Sequence, residues 1–119
     1  MRTYKAVFSD IDGTLLTSEH IVSTATIEAI ASLQNKNIPF VIISSRSASC
    51  IYPILKKHHF QCPIVACGGA WIEDMNGRIL LNVGMSRQTA ATVIEFMTEK
   101  KFDLAWGIYS GKNWITNDR

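Results

Sequence analysis

What this chain lacks narrows it before any motif is read. No apolar stretch approaches the roughly 20 residues of a membrane-spanning helix. The opening "MRTYKAVFSD" reaches an aspartate too soon for a secretory signal, so a cytoplasmic protein is expected. No basic stretch is longer than a Lys-Lys pair, and twelve Lys and Arg against ten Asp and Glu leave a net charge of only +2. That balance argues against nucleic acid or an anionic membrane as the main partner. There are no repeats, no low-complexity tract and no linker. Cysteine is scarce and odd in number, which disfavours a disulfide framework. Cys50, Cys62 and Cys67, even with His58 and His59 nearby, fit none of the usual zinc-ligand spacings, so they are expected as buried or half-buried free thiols.

What is present is an ordinary globular composition, 47% apolar and 18% charged over 119 residues. There is room for one hydrophobic core and hardly for two. "YKAVFS" at 4–9 reads as a strand stopped by the Asp10–Gly13 cluster. Ser23 is placed to cap a helix over about 24–36, with Ile27, Ile30, Ala31 and Gln34 on one face, and Asn37 and Pro39 to stop it. "FVIIS" at 40–44 and "PIVAC" at 63–67 read as strands of a parallel sheet buried on both faces. Between them a helix is expected from about Ser49 to Lys57, with Pro53 awkward unless it falls in the first turn.

This alternation predicts a right-handed parallel α/β sheet. After Gly68-Gly69 the pattern changes. Asn76-Gly77 signals a hairpin whose turn needs positive φ twice. Ser86 can cap a helix carrying Ala90, Val93, Ile94 and Met97 on one face, and a second hairpin is expected around Gly111.

The chemistry gathers at the strand ends, where parallel sheets bind ligands. Asp10 and Asp12 end the first strand, and an extended backbone would point both carboxylates to one side. Two such anions repel by roughly 4 kcal/mol at an effective dielectric near 20. A hard divalent cation such as Mg2+ would offset this. A plain surface turn, in which Asp caps a bend and Gly completes it, accounts for "DIDG" equally well. The second strand adds Ser44, Ser45 and Arg46, a hydroxyl and a cation suited to a phosphoryl group. The third ends in Gly68 and Gly69, which allow close backbone approach.

On these residues the sequence resembles the haloacid dehalogenase superfamily. "FSDIDGTLL" is similar to its first motif, "VIISSR" to its second, and "PIVACGGAWI" to the corresponding segment of the Cof-type phosphatases. The resemblance implies a three-layer Rossmann-like core over residues 1–84, the N-terminal part of the family's core. The start of an α/β cap would follow over 85–119. It implies a Mg2+-dependent phosphatase of small phosphorylated metabolites. Asp10 would be the nucleophile and Asp12 the general acid and base. The Asp10 carboxylate and the Asp12 main-chain carbonyl would hold Mg2+. Ser44, Gly13, Thr14 and Arg46 would surround the phosphoryl group, and Gly68 and Gly69 would form the substrate rim. An unperturbed Asp has a pKa of about 3.9. Asp12 would therefore need an upward push to act as an acid, and the Asp10 charge and the phosphate would supply it.

Departures from the family pattern accompany the likeness. The third-motif lysine and the later metal-binding acids are expected beyond residue 119. Lys56, Lys57, Lys100, Lys101 and Lys112 sit in the wrong elements to replace that lysine, and "TND" at 116–118 lies in the expected cap hairpin. Ser45 stands where Gly is usual and Gly68 where Asn is usual. Residues 4–9 would be left as an exposed apolar edge, predicting a homo-oligomer or a complementing second chain through that edge. Two other readings stay open: a phosphate- or Mg2+-binding module without turnover, and a receiver-like phosphoacceptor domain.

Overall fold

The computed structural model describes residues 4–100, 104–111 and 113–117. Lys101, Lys112 and Asp118, and residues 102–103 ahead of the last hairpin, lie outside them. Two compact units divide the chain, Met1–Asn82 and Val83–Arg119.

The first unit opens with strand β1 (Val7–Ser9), a turn over Ile11–Leu15 and helix α1 (Thr24–Asn35). Strand β2 (Phe40–Ile43), helix α2 (Ala48–Lys57) and strand β3 (Ile64–Ala66) follow, then the hairpin of β4 (Trp71–Glu73) and β5 (Ile79–Asn82). The strands form one sheet in the order β1-β2-β3-β4-β5. The first three run parallel, and β4 and β5 are antiparallel additions. This is the expected α/β architecture.

The core lies where α1 and α2 cover the sheet. Phe40 and Ile42 of β2, and Ile64 and Ala66 of β3, alternate inward as strand geometry requires and meet Ile30 of α1 and Ile51 of α2. Burial on both sheet faces holds in β2 only at Val41, and the outer face is otherwise open. Phe8 and Ile43, on residues of the opposite parity, are exposed. The α1 face is also rotated from the expected one, because Ile27, Ile30 and Leu33 pack while Ala31 and Gln34 stay exposed. Cys62 is buried, Cys67 half-buried, and Cys50 exposed, contrary to expectation. Ala48 and Ile51 hold the inner face of α2, and Cys50 falls outside it.

Local signals explain the boundaries. The Ser23 hydroxyl accepts the Thr26 N–H and caps α1. Asn37 takes the left-handed conformation, φ 54°, while the Ile38 N–H returns to the Leu33 carbonyl. The β4–β5 turn needs only one positive φ, at Gly77. The reason is Asp74, whose Oδ1 accepts the N–H groups of Asn76 and Arg78 and so lengthens the loop beyond two residues.

The second unit holds helix α3 (Arg87–Glu99), capped by Ser86, and the hairpin of β6 (Gly107–Ser110) and β7 (Asn113–Thr116). In it Val93 is exposed, while Ala90, Ile94 and Met97 are half-buried. No helix among the described residues is long and apolar enough to cross a membrane.

Candidate active site at the carboxyl ends of the parallel strands

Beyond Ser9 the strand ends. The chain turns, closing with bonds from the Leu15 N–H to the Asp10 carbonyl and from the Leu16 N–H to the Ile11 carbonyl. Gly13 supplies the positive φ, 72°, that this tight turn requires. Ile11, Leu15 and Leu16 are buried and anchor the turn to the core. With Ile11 fixed inward, Asp10 and Asp12 on either side of it are left on the outside.

The two carboxylates end on different partners. Asp10 Oδ1 accepts its neighbour Ile11's N–H at 2.7 Å. Its Oδ2 has no hydrogen-bond partner among the described residues. Asp12 is gripped by Arg46, with Nε donating to Oδ2 at 2.8 Å and Nη2 to Oδ1 at 2.7 Å. The Arg46 hydrogen bonds hold the Asp12 carboxyl below its usual value; desolvation opposes this, and the charges of Arg46 and His20 add to it. This is opposite to the upward push expected of a general acid.

Asp10, Ser44 and Gly68 line one cleft of about 470 Å3 together with Phe8, Ser9, Ile43 and Ser45. Ser44 is 4% exposed, and its Oγ accepts the Arg46 N–H at 3.1 Å. The Gly68 N–H donates to the Ser44 carbonyl, and the Cys67 N–H to the Arg46 carbonyl, tying the ends of β2 and β3 together. Asp12, Gly13, Thr14 and Gly69 do not form its walls, and the Arg46 side chain is engaged at Asp12. Ser9 and Phe8 are wall residues that sequence reasoning did not single out. Their only signal was their position just before Asp10.

A larger cleft, about 790 Å3, lies at the other end of β3 beside Ile64 and Glu73 and holds none of the expected site residues. There the buried Glu73 Oε2 accepts from the Tyr52 hydroxyl at 2.6 Å and from Trp71 Nε1 at 3.1 Å. Burial, with the nearby Glu73 carboxylate, pushes the Tyr52 hydroxyl up to about 12.

Among the described residues no group of three or more His, Cys, Asp or Glu side chains comes together. The Asp10 carboxylate and the Asp12 main-chain carbonyl are nonetheless two hard oxygens. That donor set fits Mg2+, which commonly takes one or two protein carboxylates and keeps several waters. It does not suit a soft metal.

Comparison with known proteins identifies the family. The family model described as haloacid dehalogenase-like hydrolase matches residues 7–119. A protein of Haemophilus influenzae is 48% identical over 73 residues, 61% of this chain and 28% of its own length. The pyridoxal phosphate phosphatase of Escherichia coli K12 is 26% identical over 98 residues, covering 82% of this chain and 36% of its own. In fold, a haloacid dehalogenase-like hydrolase from B. subtilis superposes with a TM-score of 0.84 at 23% identity, over 92% of this chain and 38% of that one. The chain thus spans between 28% and 38% of the length of these proteins.

Proposed function

The chain belongs to the haloacid dehalogenase-like hydrolase family, among its Cof-type members, and from that premise we propose that it carries the nucleophile-bearing part of a Mg2+-dependent phosphatase for small phosphorylated metabolites. The observation that supports this most is the shared cleft of Asp10, the buried Ser44 and Gly68 at three adjacent strand ends.

Asp10 Oδ2 attacks phosphorus, and the bond to the leaving oxygen breaks as the aspartyl phosphate forms. The Ser44 hydroxyl donates to a phosphoryl oxygen, where negative charge spreads in the transition state. Asp12 must first take a proton from solvent, which the Arg46 pair opposes; it then gives that proton to the leaving oxygen and later takes one from the water that hydrolyses the aspartyl phosphate. With Arg46 attached, Asp12 is held in the ionised form, the one suited to that second step. Mg2+, when held by the Asp10 carboxylate and the Asp12 carbonyl, would neutralise charge on the transferring oxygens.

The test is Mg2+-dependent phosphate release from an aryl phosphate, with Asp10→Asn purified in parallel. Pyridoxal phosphate is the first metabolite to offer, since a relative is named for it. Activity that falls to background in Asp10→Asn supports the reading. Equal rates in the two proteins overturn it for this chain and favour a second reading, phosphate and Mg2+ binding without turnover. The Arg46 grip on Asp12 is the observation on the side of that alternative.

A further inference from the structure

We infer that the cleft between α2 and the β4–β5 hairpin is a second ligand site, built for a small organic ammonium with an apolar body. It lies at the end of β3 away from Asp10 and Ser44, so it stands apart from the phosphatase reading. Glu73 is the group that marks it. The residue is 8% exposed, and its Oε2 is taken twice, by the Tyr52 hydroxyl at 2.6 Å and by Trp71 Nε1 at 3.1 Å. Its Oε1 accepts from nothing among the described residues. Every fully buried side-chain oxygen and nitrogen among those residues has a partner, so Oε1 opens to the cleft that Glu73 lines. Two donors on one oxygen hold the carboxyl group still and leave the other oxygen presented.

That oxygen suits a cation. Both donors on Glu73 are neutral, and among the described residues no ion pair involves it. A nearly buried carboxylate without a counter-charge is costly, and an ammonium seated on Oε1 removes that cost. Asp74, the next residue, adds a second carboxylate. Its Oδ1 accepts the Asn76 and Arg78 N–H groups, and its Oδ2 accepts from nothing among the described residues. Against these two acids the lining carries one lysine, Lys56, so with His59 neutral the cleft keeps one net negative charge. An anionic ligand such as phosphate is disfavoured here on that ground. Much of the remaining wall is apolar, supplied by Leu55, Phe60, Ile64 and Met75. At about 790 Å3 the cleft falls within the range of roughly 300–1,000 Å3 usual for small-molecule sites. An apolar body laid on these side chains, with its ammonium on Glu73, uses both kinds of surface.

The experiment is an NMR titration of the nitrogen-labelled chain at neutral pH with phenethylamine, and with phenethyl alcohol as its uncharged counterpart. The indole N–H of Trp71, assigned by its absence from Trp71→Phe, donates to Glu73 and reports on it. The Gly77 amide is the second reporter, since a Cβ on Gly77 would stand 3.6 Å from Glu73 Oε1. With the amine both signals should move along one saturation curve. The alcohol should bind about tenfold more weakly or worse, the factor that one hydrogen bond to a charged group carries. Glu73→Gln should abolish that preference. Lys56→Ala, a change at an exposed side chain, should tighten the amine about two- to threefold and leave the alcohol unchanged. It decides the matter if Glu73→Gln fails to fold, and an amine affinity it leaves unmoved then overturns the inference. Equal binding of amine and alcohol, or a preference that survives in Glu73→Gln, overturns it too, leaving Glu73 as a tie between α2 and β4. If the amine moves only the amides of Ser45 and Gly68, the cation sits at Asp10 and the second site falls. Stillness of both reporters at the highest amine concentration has the same meaning. None of these outcomes touches the phosphatase reading, which the Asp10→Asn assay decides.

Discussion

Asp12 and Tyr52 are the residues whose surroundings change their chemistry most plainly, one through a cation and the other through burial. For Asp12 the folded-state pKa lies below the unfolded value. The ion pair therefore contributes stability above the unfolded pKa and loses it as pH falls through the depressed one. Because the side chain is half exposed, that contribution is small, and the site's titration is the better readout. Carbon-detected NMR should find Asp12 titrating below 3.8 in the native chain and moving upward in Arg46→Ala. An unchanged midpoint would remove Arg46 as the cause. For Tyr52 the sign is reversed, because the neutral form is the one the fold keeps. Its stability contribution is complete below pH 10 and is lost as pH rises toward about 12. Tyr52→Phe should cost roughly 1–2 kcal/mol at neutral pH, since the buried Glu73 loses one of two donors. It should also flatten the fall in urea midpoint between pH 10 and 12. An alkaline limb as steep as the native chain's would count against this.

At the scale of elements, caps and stops were legible where a single residue type carries the geometry. Ser23, Ser86 and Asn37 each do what their side chains favour. Replacing Ser23 with Ala should lower stability by about 1 kcal/mol, measured by urea unfolding; no change would mean the cap is idle. Other boundaries were not legible. Helix α2 stops at His59 with φ 54°, although histidine is no usual stop signal. The Phe60 N–H reaches the Leu55 carbonyl and buried Phe60 anchors that turn, so packing imposes it. Pro53 sits in the second turn of α2 and is tolerated there, exposed, where its missing N–H would have met the Ser49 carbonyl. The exposed Trp114 ring lies over Gly107 across the hairpin, where a Cβ would displace it, a contact that no local pattern announces.

For the molecule as a whole, the sheet of the first unit ends in β1 on one side and β5 on the other. Among the described residues β1 has no strand on its outer side, and its Phe8 is 61% exposed. An apolar edge without a protecting charge is a template for another strand. Light scattering of the purified chain at rising concentration should show a dimer or larger assembly. A monomer throughout the range would refute association through this edge.

The sequence by itself determined the alternation of strands and helices, the strand ends that carry Asp10, Ser44 and Gly68, and the caps that separate them. These follow from side-chain periodicity and from the few residue types that suit a cap or a tight turn. Only the tertiary structure decided where each carboxylate went. Ile11, buried in the core, fixes Asp10 and Asp12 outward, and Arg46, 34 residues further on, takes Asp12 from across the β1–β2 junction. That pairing depends on the parallel register of β1 and β2, which brings their ends side by side. The direction of the Asp12 pKa follows from a contact between distant segments, and a local reading of "DIDG" contains no trace of it.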